Sequence, residues 1–398
     1  MTSRPVYVVW DDVFTKYNFG PAHPMHPLRL EFTASLCREF GLFDDPAADL
    51  HTAGVANDET LLTVHSREYI DAVRAASAPG TRDAAQLRRY GLGTDDVPYF
   101  DEMHDASARI VSGTVDAASA IASGATDRAV NFCGGMHHAK SSAASGFCVY
   151  NDAAAGIRRL QAEGFTRIAY IDIDAHHGDG TEAVFWNDPG VLTISLHETG
   201  RMLFPGTGFA TDVGGDGAEG QTVNIALPPR TTDAGWLRAF DACVPPLIRA
   251  FQPQVIVSQH GCDGHSRDPL THLQLSVDAG REAALMIEGL ADRYAGGRWL
   301  AVGGGGYELV DVVPRAWAHL LAIALGRPIG VAEPTPETWR AFVQARVGRT
   351  APATMGDGAD LWWRSWQVGF DPADATDRAI MGTRNAVFPL NGLDPYFD

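Results

Sequence analysis

Lysine is nearly missing from this chain. Lys16 and Lys140 are the only two in 398 residues, and arginine supplies the rest of the 31 basic side chains. Against 49 acidic residues the formal net charge is −18, a field that repels phosphate backbones and argues against a nucleic-acid partner. The five cysteines (Cys37, Cys133, Cys148, Cys243 and Cys262) are odd in number and contain no CxxC pair. That excludes a disulfide framework or a zinc ribbon and fits a reducing cytoplasm. No stretch approaches the ~18 apolar residues of a membrane span. The opening MTSRPVYVVWDD reaches charge without the apolar core of a signal peptide. A soluble, cytoplasmic protein without a membrane partner is expected, and the sequence leaves its oligomeric state open.

The chain is otherwise ordinary for a globular protein, with 45% hydrophobic and 20% charged residues. Short apolar, β-branched runs at 6–10, 128–132, 168–171, 191–196, 254–259 and 299–302 read as buried strands. Helical patterns fill 28–40, 59–76, 104–123, 152–163, 236–251 and 278–294. This alternation predicts an α/β protein with a parallel sheet covered on both faces. After about Arg327 it breaks. Pro328, Pro334 and Pro336 punctuate a linker, a helix is expected over 337–347, and Trp362, Trp363 and Trp366 form an aromatic cluster. The expected division is a domain over 1–326 and an extension over 327–398 that packs back on it, since three exposed tryptophans would invite aggregation.

The stretch IDIDAHHGDG, Ile171 to Gly180, follows one of these strands. Asp172, Asp174 and His176 fall at spacing two, so in an extended backbone their side chains leave on the same side. Two carboxylates and an imidazole so crowded must share protons or bind a cation, and a divalent metal is the simplest answer. Other strands end alike. His137 and His138, Asp263 and Tyr307 all lie just beyond strand ends, on the rim where open parallel sheets bind ligands.

The motifs GGMHHAK, SGFCVYND, IDIDAHHGDG, FPGTG, QHGCD and GGGGY occur in this order. Together they resemble the histone deacetylase superfamily, from about Val6 to Ala324. HPMHPLR resembles its class I branch, and HGCDGHSRDPLTHL its bacterial members, the acetoin-utilisation deacetylases. The resemblance implies a single arginase-like α/β/α domain, an eight-stranded parallel sheet with the active site at the C-terminal strand ends, and a metal-dependent amide hydrolase.

Carried over residue by residue, the resemblance makes Asp174, His176 and Asp263 the metal ligands, with zinc as the usual ion. The same donors also suit Fe(II). It makes His138 the general base, His137 an electrostatic support, and Asp179 and Asp172 their respective hydrogen-bonding carboxylates. Tyr307 becomes the donor to the acyl oxygen. Gly146, Phe147 and Phe204 line a narrow channel with Leu270 at its rim, and Asp96, or Asp95 one residue earlier, holds the substrate backbone. Arg29 stands at the foot of the site, where departing acetate leaves. Ser195 and Leu196, with oxygens of Asp172, Asp174 and His176, hold a structural potassium ion. Cys148 reads as packing. The implied substrate is an acetylated protein, acetyl-CoA synthetase in particular. An acetylpolyamine amidohydrolase is the alternative enzyme, disfavoured because that branch carries HPE where this chain has His23, Pro24 and Met25. A non-catalytic acyl-lysine binder fits poorly with a complete catalytic set.

Overall fold

A computed structural model of the chain describes residues 4–80 and 82–398; Met1 to Ser3, the start of the N-terminal stretch read above, and Thr81 lie outside the described residues. Eight strands form one sheet: β1 (Val6–Val9), β2 (Ala48–His51), β3 (Arg128–Asn131), β4 (Ile168–Asp172), β5 (Val191–Glu198), β6 (Thr222–Leu227), β7 (Val255–Gln259) and β8 (Trp299–Val302). Their order is β2-β1-β3-β8-β7-β4-β5-β6, and every pairing is parallel. The expected eight-stranded parallel sheet is therefore present. All residues of β4, β5, β7 and β8 are buried, which is why these strands read as continuous apolar runs.

Helices over 67–77, 103–122 and 152–162 pack on one another as one layer, and those over 28–39, 313–324, 277–294, 233–251 and 375–387 form a second. The pattern over 59–76 is two helices, Asp58–Leu61 and Arg67–Ser77. The break has a local cause: Ser66 caps the second helix by accepting from Tyr69 N, and His65 turns inward to Lys140 O and Asn151 N.

Parallel strands place all their C-terminal ends on one rim, and the register brings particular residues level. Asp172 pairs with Ser195 on β5 and with Gln259 on β7, while Asn131 pairs with Val302. The loops after β3, β4, β7 and β8 therefore leave the sheet side by side.

Residues 327–398 share the core. Trp339, Val343, Met355, Ile380, Val387 and Phe388 are all buried, and Trp339 donates its indole N–H to Phe32 O at 3.0 Å. The tryptophan cluster corrects one expectation. Trp366 is buried beneath Arg238 and Arg384, but Trp362 is 70% exposed. No described helix is long and apolar enough to cross a membrane.

Candidate active site

β4 ends at Asp172, and the backbone then turns instead of continuing extended. This corrects the picture of three side chains leaving one face of a strand. Asp172 Oδ1 accepts from Asp174 N at 3.2 Å, and Asp174 Oδ1 from His176 N at 2.9 Å. Each carboxylate thus caps the turn two residues on, a habit of aspartate wherever a strand gives way to a loop. As a result Asp172 swings to one side of the site, while Asp174 and His176 meet Asp263 from the loop after β7.

Asp174, His176 and Asp263 are buried, and one donor atom of each lies within 4.8 Å of the others. His176 Nδ1 stands 3.1 Å from Asp174 Oδ1 and 2.8 Å from Asp263 Oδ2. The remaining carboxylate oxygens are fixed by amides. Asp174 Oδ2 accepts from Gly305 N and Gln259 Nε2, each at 2.8 Å, and Asp263 Oδ1 from Ala175 N at 2.8 Å. Burial and the Asp174 charge push the Asp263 carboxyl up to about 6. Although burial opposes it, the two carboxylates hold His176 well above the usual imidazole range. The donor chemistry fits a divalent cation: two buried carboxylates and one imidazole keep net negative charge in a dry place, and a doubly charged ion cancels it. Oriented ligands with hydrogen-bonded outer oxygens are what such an ion requires.

The tandem histidines come from the loop after β3. His137 Nδ1 lies 2.8 Å from Asp172 Oδ2, His138 Nδ1 lies 2.8 Å from Asp179 Oδ1, and the two Nε2 atoms are 3.1 Å apart. Facing nitrogens at that distance share one proton, so the rings take different charges. Burial alone would depress His137, but the Asp172 and Asp174 charges raise it to about 9. Burial and the charged neighbour lower His138 to about 3, so His138 is the neutral member of the pair. Lys140 Nζ sits 2.8 Å from Asp179 Oδ2.

Above these groups opens a cleft of about 180 Å³ lined by Asp96, His138, Gly146, Phe147, His176, Leu203, Phe204, Leu270 and Tyr307. The Phe147 ring meets Tyr307 edge-on at 5.5 Å, and Phe204 meets His138 at 5.1 Å. Phe147 adopts φ +64°, and a Cβ on Gly146 would lie 2.2 Å from His138 Cδ2, so only glycine allows this approach. Asp96 Oδ2 accepts from Gly146 N at 2.8 Å, tying the rim loop to that turn, whereas Asp95 is exposed.

Arg29 is buried below. Its Nη1 donates to Gly304 O at 3.0 Å and Gly306 O at 2.9 Å, gripping the glycine loop that carries Tyr307. Beside it is a cavity of about 10 Å³ lined by Tyr17, Met25, Cys133 and Met136. Ser195 Oγ is 2.8 Å from His197 Nδ1, and Leu196 is fully buried. Cys148 is buried, and burial first of all raises its thiol well above the usual range, in keeping with packing.

The structure also brings in residues given no individual role above. Asp152 accepts from Gly135 N and Met136 N and from the Thr114 hydroxyl, anchoring the loop that leads to His137. Tyr17 donates to Phe147 O at 2.6 Å, and His23 stacks edge-on against Phe147 at 4.5 Å. Gln259 holds the Asp174 carboxylate, and Asp268 holds the amide of Tyr307. Asp152, Gln259 and Asp268 all stand inside the quoted motifs. Their composition gave the signal, but which backbone amide each would meet is a long-range fact.

A family model described as "Histone deacetylase domain" matches residues 23–324. The acetoin utilization protein AcuC of Bacillus subtilis (strain 168) is 40% identical over 359 residues, covering 90% of this chain and 92% of that protein. Its counterpart in Staphylococcus aureus (strain MSSA476) is 39% identical over 328 residues, covering 82% of this chain and 83% of the relative. A crystal structure of an HDAC homolog complexed with SAHA superposes with a TM-score of 0.81 at 27% identity, covering 96% of this chain and all of that one.

Proposed function

The chain is a deacetylase belonging to the histone deacetylase family, and from this premise we propose that it hydrolyses the acetyl amide of acetyl-lysine in proteins, releasing acetate. The observation that carries the proposal is the convergence on one cleft of three buried ligands, two histidine–aspartate pairs and a tyrosine. Asp174, His176 and Asp263 would hold zinc or Fe(II), which when bound supplies Lewis acidity toward a water and the acyl carbonyl. His138, oriented by Asp179, takes the proton of the attacking water and returns it to the leaving amine. His137, charged and held by Asp172, stabilises the negative charge that builds in the transition state. The Tyr307 phenol donates to the acyl oxygen as it becomes an oxyanion.

Phe147 and Phe204 enclose the lysine stem. Burying four methylenes at about 0.8 kcal/mol each contributes roughly 3 kcal/mol, independent of the flanking sequence. Asp96 faces the substrate backbone at the rim, and Arg29 guides acetate away at the foot. A structural potassium ion held by Asp172, Asp174, His176, Ser195 and Leu196 would brace the β4–β5 end. Acetyl-CoA synthetase is the proposed target, in the cytoplasm. The test is acetate release by the metal-loaded protein from acetyl-lysine peptides and from acetylpolyamines. Faster turnover of peptides supports the reading, faster turnover of polyamines moves the substrate to small amines, and no turnover of either leaves a binding module.

A further inference from the structure

Tyr307 follows Gly303 to Gly306, four residues with no side chains to fix the path of the backbone. Gly304 and Gly306 adopt φ +155° and +139°, so this segment depends on outside contacts for its shape. Those contacts are specific. Gly305 is held through its N–H by Asp174 and through its carbonyl by Cys262 N, each at 2.8 Å, and Arg29 grips the carbonyls of Gly304 and Gly306. The amide of Tyr307 itself is held by another residue. Its N–H donates to Asp268 Oδ2 at 2.8 Å, and the other oxygen, Oδ1, accepts from Leu270 N at 3.0 Å.

Asp268 is only 7% exposed, and both of its oxygens meet backbone amides instead of a basic side chain. Burying a carboxylate this way is costly, and a loop that needed only a cap would be served by a surface aspartate. Here the two amides belong to the tyrosine and to the rim leucine, on the loops after β8 and β7. One rigid carboxylate therefore sets the position of the phenol relative to the channel mouth.

We propose that Asp268 is a positioning residue for catalysis: it fixes the main chain of Tyr307 against that of Leu270, so that the phenol reaches the acyl oxygen of a substrate lying in the channel. The inference rests on the deacetylase reading above. Asparagine at this position presents one acceptor and one donor, so it keeps one amide bond and loses the other. Small misplacements of a reacting group cost on the order of 10-fold to 10²-fold in rate.

The test is a double-mutant cycle with Asp268→Asn and Tyr307→Phe, reading kcat, KM and bound metal by elemental analysis. In the wild-type background D268N should lower kcat at least about 10-fold, with KM changed less than about threefold and metal content unchanged. In the Tyr307→Phe background, where the phenolic hydroxyl is already gone, the same substitution should change kcat less than about twofold. If D268N proves unstable, the same cycle with Asp268→Glu decides. Glutamate keeps both acceptors but is longer by one methylene, and it should slow only the enzyme that retains the hydroxyl. Equal losses in both backgrounds, or wild-type kcat in D268N, overturn the proposal alone. A wild-type enzyme with no turnover of any acylated amine overturns it together with the deacetylase reading.

Discussion

The strand-tip site and the C-terminal extension are both densely hydrogen-bonded, yet they are built on opposite plans. In the site the polar groups stand on loops that the parallel strands bring to one rim, and the motif residues lie a few positions apart even where a partner, such as Gly305 for Asp174, is distant in sequence. Asp172 and Asp174 cap their own turn, and the histidines are adjacent in sequence. The extension is held by pairs distant in sequence. Arg238 donates to both oxygens of Asp377, 139 residues on, and to the carbonyls of Arg364, Ser365 and Gly369. Asp357 joins Arg315, His265 and Val277 N. The first plan puts charge where chemistry needs it; the second fastens a segment to a finished core. Substitutions in the first should change turnover, and those in the second should change stability.

The sharpest contrast comes from Asp263→Ala. Losing one of three ligands should abolish both bound metal, by elemental analysis, and turnover, because the remaining pair cannot orient the ion. Next in size is His138→Ala, which should lower kcat on the order of 10² to 10⁴-fold while metal and inhibitor binding persist. Metal loss in that variant would move His138 into the ligand set.

Arg238→Ala should do the reverse: a loss of at most about 3 to 5 kcal/mol in denaturant unfolding, with kcat per folded molecule unchanged, because buried Asp377 loses its two-bond partner and keeps only Arg364 and the Asp371 amide. The pair also has a pH signature. Burial alone would raise the Asp377 carboxyl, but Arg238, Asp371 N–H and Arg364 outweigh it and hold the group below its ordinary value. Its stabilisation is therefore complete above the unfolded carboxylate value of about 3.9 and is lost as pH falls below it. That acid limb should flatten in Arg238→Ala. A fall in kcat at constant fold would instead tie the extension to catalysis. The smallest effect belongs to Arg346→Ala, whose 3.2 Å pair with Glu31 is half exposed and should contribute less than about 1 kcal/mol.

The same contrast explains what could be read from the sequence. Six of the eight strands stand out as apolar runs because parallel strands buried on both faces have no polar side. β2, Ala48–His51, is an edge strand whose Asp49 and Leu50 are exposed, so it carries no such run. β6, Thr222–Leu227, is the opposite edge strand and is interrupted by Asn224, whose amide bonds Glu182. Around the site, groups in motifs of a few residues were legible, and their long-range partners were not. Nothing near Asp268 announces that it will meet the amide of Tyr307, 39 positions away. In the extension almost every fastening is of that second kind, which is why its aromatic cluster suggested complete burial while Trp362 faces solvent.

The central claim, that the buried aspartates and histidine work as a metal site for amide hydrolysis, meets its most direct test in a metal titration of chelator-stripped protein, with occupancy and acetyl-lysine peptide turnover measured on the same samples. The account predicts no turnover without metal and activity that rises in proportion to zinc or Fe(II) until one ion is bound per chain. Full activity in protein shown to hold no divalent ion would contradict it.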